Sequence, residues 1–148
     1  MDSTRVGIFG GSWGGYMTLR ALLLEPKVYR AGLSIYPAAD LWDHHQMIEA
    51  YMGLPATNAA GYEYGSNPKI ANRLEGRLLL IHGTSDVNAP FSASIQMVEA
   101  LTRAGKRYEL VVFPEQNHGF LPQNSGYWLN TMRQFFVEKL HPEKEPSP

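Results

Sequence analysis

The chain contains no cysteine. A disulfide framework and any thiolate metal site are therefore excluded. Charge bias is also missing: 13 Lys and Arg stand against 14 Asp and Glu, a formal net charge of -1. That balance gives no electrostatic case for nucleic acid or for an anionic membrane surface. No apolar run approaches the roughly 18 residues that a membrane-spanning helix needs. Met1-Asp2-Ser3-Thr4 lacks the charged and apolar regions of a secretory signal. These absences leave cytoplasm and periplasm equally open, so no compartment is assigned. What remains is a chain of 148 residues, 44% hydrophobic and 18% charged. That is the length of one domain, with enough apolar content for a real core and too little charge for disorder.

Strand-like and helix-like segments alternate along it. Residues 5–9, 31–36, 77–81 and 108–113 read as strands, and Leu78-Leu79-Leu80-Ile81 is apolar throughout, as in a strand covered on both faces. Residues 15–24 read as a helix stopped by Glu25-Pro26. A polar and aromatic stretch, 38–71, holds a helix near 43–51 and then the breakers Gly53, Pro55, Gly61, Gly65 and Pro68. Pro90 opens a further helix, with Ile95, Val98, Leu101 and Thr102 on one face and Gly105 at its end. Residues 126–140 form a last helix with Leu129, Met132, Phe135, Phe136 and Leu140 inward. Residues 141–148 are a polar, proline-rich tail expected to fray. The alternation predicts an α/β fold with about four parallel strands and flanking helices.

In such sheets ligands sit at the carboxyl ends of strands. After the first strand comes Gly10-Gly11-Ser12-Trp13-Gly14. A serine flanked by glycines between a strand and a helix is the pattern of a nucleophile elbow. The turn is strained, so its neighbours must be small for strand and helix to approach. The dinucleotide fingerprint fails here, because Ser12 or Trp13 falls where its second glycine belongs, and the phosphate-loop lysine is absent. Asp86 follows the third strand and His118 the fourth. Serine, acid and histidine in that order, each at a strand end, match the chain order of an α/β-hydrolase triad. Ser12 is then the nucleophile, His118 the base and Asp86 the group that orients the imidazole. The Trp13 backbone N–H supplies one oxyanion donor. Alone, each residue has a plainer reading: Asp86 as a helix cap or turn former, His82 as a structural histidine, His44 and His45 as neighbours facing apart and unsuited to a metal. No metal or other cofactor is called for.

Four motifs together carry a resemblance: Gly10-Gly11-Ser12-Trp13-Gly14-Gly15-Tyr16, Tyr51-Met52-Gly53-Leu54-Pro55, Ile81-His82-Gly83-Thr84-Ser85-Asp86-Val87-Asn88, and Asn117-His118-Gly119. Over roughly residues 5–140 the chain resembles the catalytic domain of the prolyl oligopeptidase family of serine peptidases, in particular its dipeptidyl peptidase IV and acylaminoacyl-peptidase branches. The resemblance implies an acyl-enzyme mechanism on peptide substrates, often with proline or a small apolar residue ahead of the cut bond. It carries the triad onto Ser12, Asp86 and His118. It also implies a substrate carbonyl contact for Asn88 and a specificity pocket lined by Trp13, Ala38 and Trp42.

There are departures. Family members carry a β-propeller and earlier strands of the sheet, and this sequence has neither. A tyrosine that gives the second oxyanion donor, and the propeller glutamates that grip a free amino terminus, have no counterpart. Residues 1–140 are thus expected to be the C-terminal half of an α/β-hydrolase domain, weakly active alone, with Val6-Gly7-Ile8-Phe9 as a bare apolar edge. Two other readings stay open: an esterase-like hydrolase on small acyl substrates, and a non-catalytic module pairing through that edge with itself or a complementing fragment.

Overall fold

The computed structural model describes residues 2–120 and 122–140; the tail assigned to 141–148 lies outside them. Four strands, β1 (Val6–Gly11), β2 (Tyr29–Ile35), β3 (Arg77–Gly83) and β4 (Glu109–Phe113), form one parallel sheet in the order β1-β2-β3-β4. The register sets Leu33 beside Phe9 and Leu79, and Ile81 beside Val111. Helices α1 (Trp13–Leu24), α2 (His45–Met52), α3 (Ala59–Gly65), α4 (Phe91–Arg103) and α5 (Ser125–Leu140) complete the fold. This is an α/β architecture with helices against both faces of the sheet.

The period of two in a strand divides the core. From β3, Leu78 and Leu80 join Leu19, Leu22 and Leu23 of α1 and Met97 and Leu101 of α4. Leu79 and Ile81 turn the other way, onto Leu33 and Ile35 of β2 and Phe135 of α5. The four apolar β3 residues are each no more than 2% exposed, which is why that run shows no alternation in the sequence. Burying each such side chain contributes about 1.5–3 kcal/mol. A third, smaller cluster of Tyr16, Leu41, Ile48 and Tyr62 seats α2 and α3 beside the first helix.

Some sequence expectations shift. The buried face of α4 is Ala93, Ser94, Met97 and Leu101, while Ile95 is 42% exposed and Thr102 is also exposed. Leu101 is buried and Val98 packs against the same core, as expected, while the stripe that meets the sheet runs through Ala93, Met97 and Leu101 and leaves Ile95 and Thr102 to one side. On α5, Met132, Phe135, Phe136 and Leu140 pack as expected, but Leu129 is 46% exposed. Strands β1 and β3 run on through Gly11 and Gly83, because these glycines stay in the ladder instead of ending it. Helix α3 was not anticipated; the Asn58 side chain caps it by accepting from the Gly61 N–H at 3.2 Å. Among the described residues no helix is long and apolar enough to cross a membrane.

Candidate active site

The loops after β1, β2, β3 and β4 meet above the carboxyl edge of the sheet. Ser12 sits between β1 and α1 with φ 56° and ψ -119°, a conformation that L-residues rarely adopt. Holding it costs about 1–3 kcal/mol, which the surroundings must offset. The Ser12 N–H donates to Ile35 O at 2.9 Å, and Ser12 O accepts from the Tyr16 N–H at 3.0 Å. Both sides of the turn are therefore pinned. The glycine requirement is local. A Cβ at Gly10 would lie 2.5 Å from the Gly14 backbone, and one at Gly15 would lie 2.7 Å from Ile35 O. A Cβ at Gly14 would meet nothing within 4 Å, so crowding at the turn requires glycine at positions 10 and 15 and not at 14.

The loops after β3 and β4 are tied to one another. The Ser85 N–H donates to Gln116 O at 3.0 Å, and the Glu115 N–H donates to Thr84 Oγ1 at 2.9 Å. Between them lies Asp86, 5% exposed. Its Oδ1 accepts from the backbone N–H groups of Asn88 and Ala89, each at 2.9 Å. Its Oδ2 accepts from His118 Nδ1 at 2.7 Å. A carboxylate only accepts, so Nδ1 carries the hydrogen and the neutral imidazole keeps its lone pair on Nε2. The ring of Tyr36 lies 4.6 Å from the His118 ring and braces it. Burial, and secondarily the charge of Asp86, push the Tyr36 phenol above its ordinary value.

A second histidine flanks the same carboxylate. His82 is fully buried. Its Nε2 donates to Ala89 O at 2.8 Å and stands 3.5 Å from Asp86 Oδ2, while Nδ1 accepts from the Ser94 hydroxyl at 2.7 Å. Burial is the main cause that holds its pKa below the ordinary value of 6.5. Both nitrogens are satisfied, so the ring works as a neutral brace between β3, the Asp86 loop and α4.

Ser12, Trp13, Ala38, Asn88 and His118 line one cavity of about 490 Å³, together with His44, Met47, Val87 and Ala89. Of the residues singled out in the sequence, Asp86 stands behind His118, and Trp42 lies outside the lining, its ring 5.4 Å from that of Tyr62. Ser12 and His118 face the same space without a hydrogen bond between them. Tyr36, His44 and Met47 were not picked out. Tyr36 had a signal in its place at the end of an apolar strand before a proline; the other two had none. A larger hollow of about 610 Å³, lined by Asp40, Lys69, Glu99 and Arg103 among others, includes neither Ser12 nor His118, so size alone does not locate the site. Among the described residues no group of three or more His, Cys, Asp or Glu is placed to hold a metal ion.

Residues 1–143 match the prolyl oligopeptidase family. The chain belongs to that family. Within it, the chain is 37% identical over 131 residues to dipeptidyl peptidase 8 of Homo sapiens, covering 85% of this chain and 14% of that protein. It is 30% identical over 145 residues to a Rattus norvegicus protein named inactive dipeptidyl peptidase 10, covering 97% of this chain and 18% of the relative. The solved structure of Porphyromonas gingivalis dipeptidyl peptidase 4 superposes with a TM-score of 0.87 at 32% identity, over 95% of this chain and 20% of that one. The chain thus spans 14% to 20% of the length of these relatives. The prolyl oligopeptidase family is one of serine peptidases, and the sheet described above is the α/β-hydrolase sheet of such enzymes.

Proposed function

We propose that this chain is the catalytic segment of a serine peptidase and hydrolyses peptide bonds through an acyl-enzyme on Ser12. The observation that carries this is the 2.7 Å hydrogen bond from His118 Nδ1 to Asp86 Oδ2, at the wall of the cavity that Ser12 also lines. The hydrogen bond fixes the tautomer, leaving Nε2 as the proton acceptor. On substrate binding the Ser12 hydroxyl closes to that nitrogen; catalytic hydrogen bonds commonly tighten only in the complex. Ser12 Oγ attacks the carbonyl carbon as its proton passes to His118. Charge develops on the carbonyl oxygen, where the Trp13 N–H donates. His118 then protonates the leaving amine, and Asp86 stabilises the imidazolium meanwhile. Water, deprotonated by His118, releases the acyl group. Asn88 and Ala38 contact the acyl part of the substrate from the cavity wall. Trp42, expected from the resemblance to line the pocket, packs on Tyr62 instead.

One named relative is inactive and the chain spans a small share of every relative compared. We therefore also propose that the isolated segment turns over slowly, since a missing oxyanion donor alone costs about 100- to 1000-fold. Labelling with a fluorophosphonate, read by intact mass, tests the assignment. Stoichiometric modification of Ser12, absent in Ser12→Ala, is expected. If the unchanged chain stays unlabelled while still folded, the nucleophile assignment is wrong.

A further inference from the structure

Tyr36 follows the last residue of β2 and takes φ 35°, a left-handed value that a bulky aromatic residue rarely holds. Hydrogen bonds on both sides fix the chain there. The Tyr36 N–H donates to Ile81 O at 2.7 Å, and one residue earlier Ile35 O accepts from the Ser12 N–H at 2.9 Å. The phenol ring reaches the nucleophile turn, since a Cβ at Gly11 would lie 2.9 Å from its hydroxyl oxygen. The same ring stands 4.6 Å from the His118 imidazole, centroid to centroid, with 55° between the planes. Phe120 packs on it at 5.8 Å, and Phe120 in turn stacks on Trp128 of α5 at 4.9 Å and meets Phe113 of β4 at 5.1 Å. One strained residue thus joins the strand that pins Ser12 to the ring of His118. Strain that the surroundings hold in place points to function.

We propose that Tyr36 is a positioning residue for the general base, and that its π face stabilises the positive charge that His118 carries after taking the Ser12 proton. This deepens the peptidase reading and rests on it. As the Ser12 O–H bond breaks, an N–H bond forms at His118 Nε2 and the ring becomes a cation. Asp86 meets that charge at Nδ1, and Tyr36 meets it across the ring. A cation within about 6 Å of an aromatic centroid is drawn to the electron-rich face. The neutral imidazole gains much less. The contact therefore favours the charged state over the resting one, which is the condition for speeding a reaction. Its expected worth is roughly 2- to 30-fold in rate.

Phenylalanine and its mono-, di- and trifluorinated forms, placed at position 36, keep the shape of the ring while draining its face of electrons. The rate of Ser12 phosphonylation should be nearly kept in Tyr36→Phe and should fall stepwise with each fluorine. Tyr36→Leu, checked for folding by circular dichroism, should lose roughly 2- to 30-fold. A ring that only fills space would give one rate across the fluorinated series. The second readout needs no nucleophile. In Ser12→Ala carrying nitrogen-15 histidine, the proton affinity of the His118 ring should drop in the same order. Asp86 and His82, which also act on that ring, are the same in every variant. Rates and proton affinities that stay flat or rise with fluorination overturn the inference, as does a Tyr36→Phe variant as slow as Tyr36→Leu. An ordered series in proton affinity without any phosphonylation sinks the nucleophile alone, and phosphonylation with a flat series sinks Tyr36 alone.

Discussion

The two sides of the Asp86 carboxylate hold histidines with opposite fates. His118, on the loop after β4, keeps 21% of its side chain exposed and one nitrogen free toward the cavity. His82, at the end of β3, is enclosed, with both nitrogens occupied by Ala89 O and Ser94 Oγ. The same side chain beside the same carboxylate is poised for chemistry on one side and spent on architecture on the other. What separates them is solvent access and the number of hydrogen bonds already made.

The largest effect should come from the group between them. Asp86→Asn leaves a neutral amide that can turn its NH2 to His118 and favour the wrong tautomer; in trypsin-like enzymes that error costs about 10⁴ in turnover. The rate of Ser12 phosphonylation should fall by three orders of magnitude or more on this argument, about 10³–10⁴. His118→Ala should follow with a loss of about 10²–10⁴ in that rate, the range for a general base. Its unfolding free energy should fall by no more than about 1 kcal/mol, because His118 stands at the cavity and water can replace it at Asp86 Oδ2. If His118→Ala unfolds the chain while labelling per folded molecule survives, the contrast between the two rings is inverted. His82→Leu should show the reverse pattern. It strands Ala89 O and Ser94 Oγ in the interior and should cost about 1–3 kcal/mol by urea unfolding.

A smaller effect sharpens the comparison through pH. Burial lowers the His82 pKa in the folded state, so the unfolded chain binds its proton first as pH falls. The stability that comes from keeping this ring neutral is complete above the unfolded value, about 6.5, and is lost as pH drops below it toward the folded value. Unfolding curves between pH 8 and pH 5, at roughly half-unit steps, should show that loss in the unchanged chain. His82→Gln keeps a donor for Ala89 O without titrating and should flatten the slope. An unchanged slope in His82→Gln would assign it to another group.

How much was written in the sequence differs from residue to residue. The sheet was legible because Leu78-Leu79-Leu80-Ile81 can be buried on both faces only inside a parallel sheet. The elbow was legible because backbone sterics select glycine, and sterics act over a few residues. Chain order placed Asp86 and His118 at strand ends. The place of His44 in the cavity wall was not legible, because it depends on a carbonyl four residues earlier holding one nitrogen and on tertiary packing around the ring, and neither leaves a mark in composition. The exposure of Ile95 was hidden for a related reason: a helix can present several apolar residues, and the sheet chooses which stripe to cover. Trp42 read as pocket lining by family resemblance, yet its ring settles on Tyr62.

Strand β1 carries a consequence for handling the molecule. It pairs with β2 on one side, and Phe9 on it is 60% exposed, with Phe136 edge-on at a centroid distance of 6.5 Å. Its other flank offers a row of amides and carbonyls to any extended peptide that drifts past. Shelf life in concentrated solution should therefore be governed by this margin and not by the melting point. Phe9→Lys should delay the rise of scattered light on storage while leaving thermal unfolding nearly where it was.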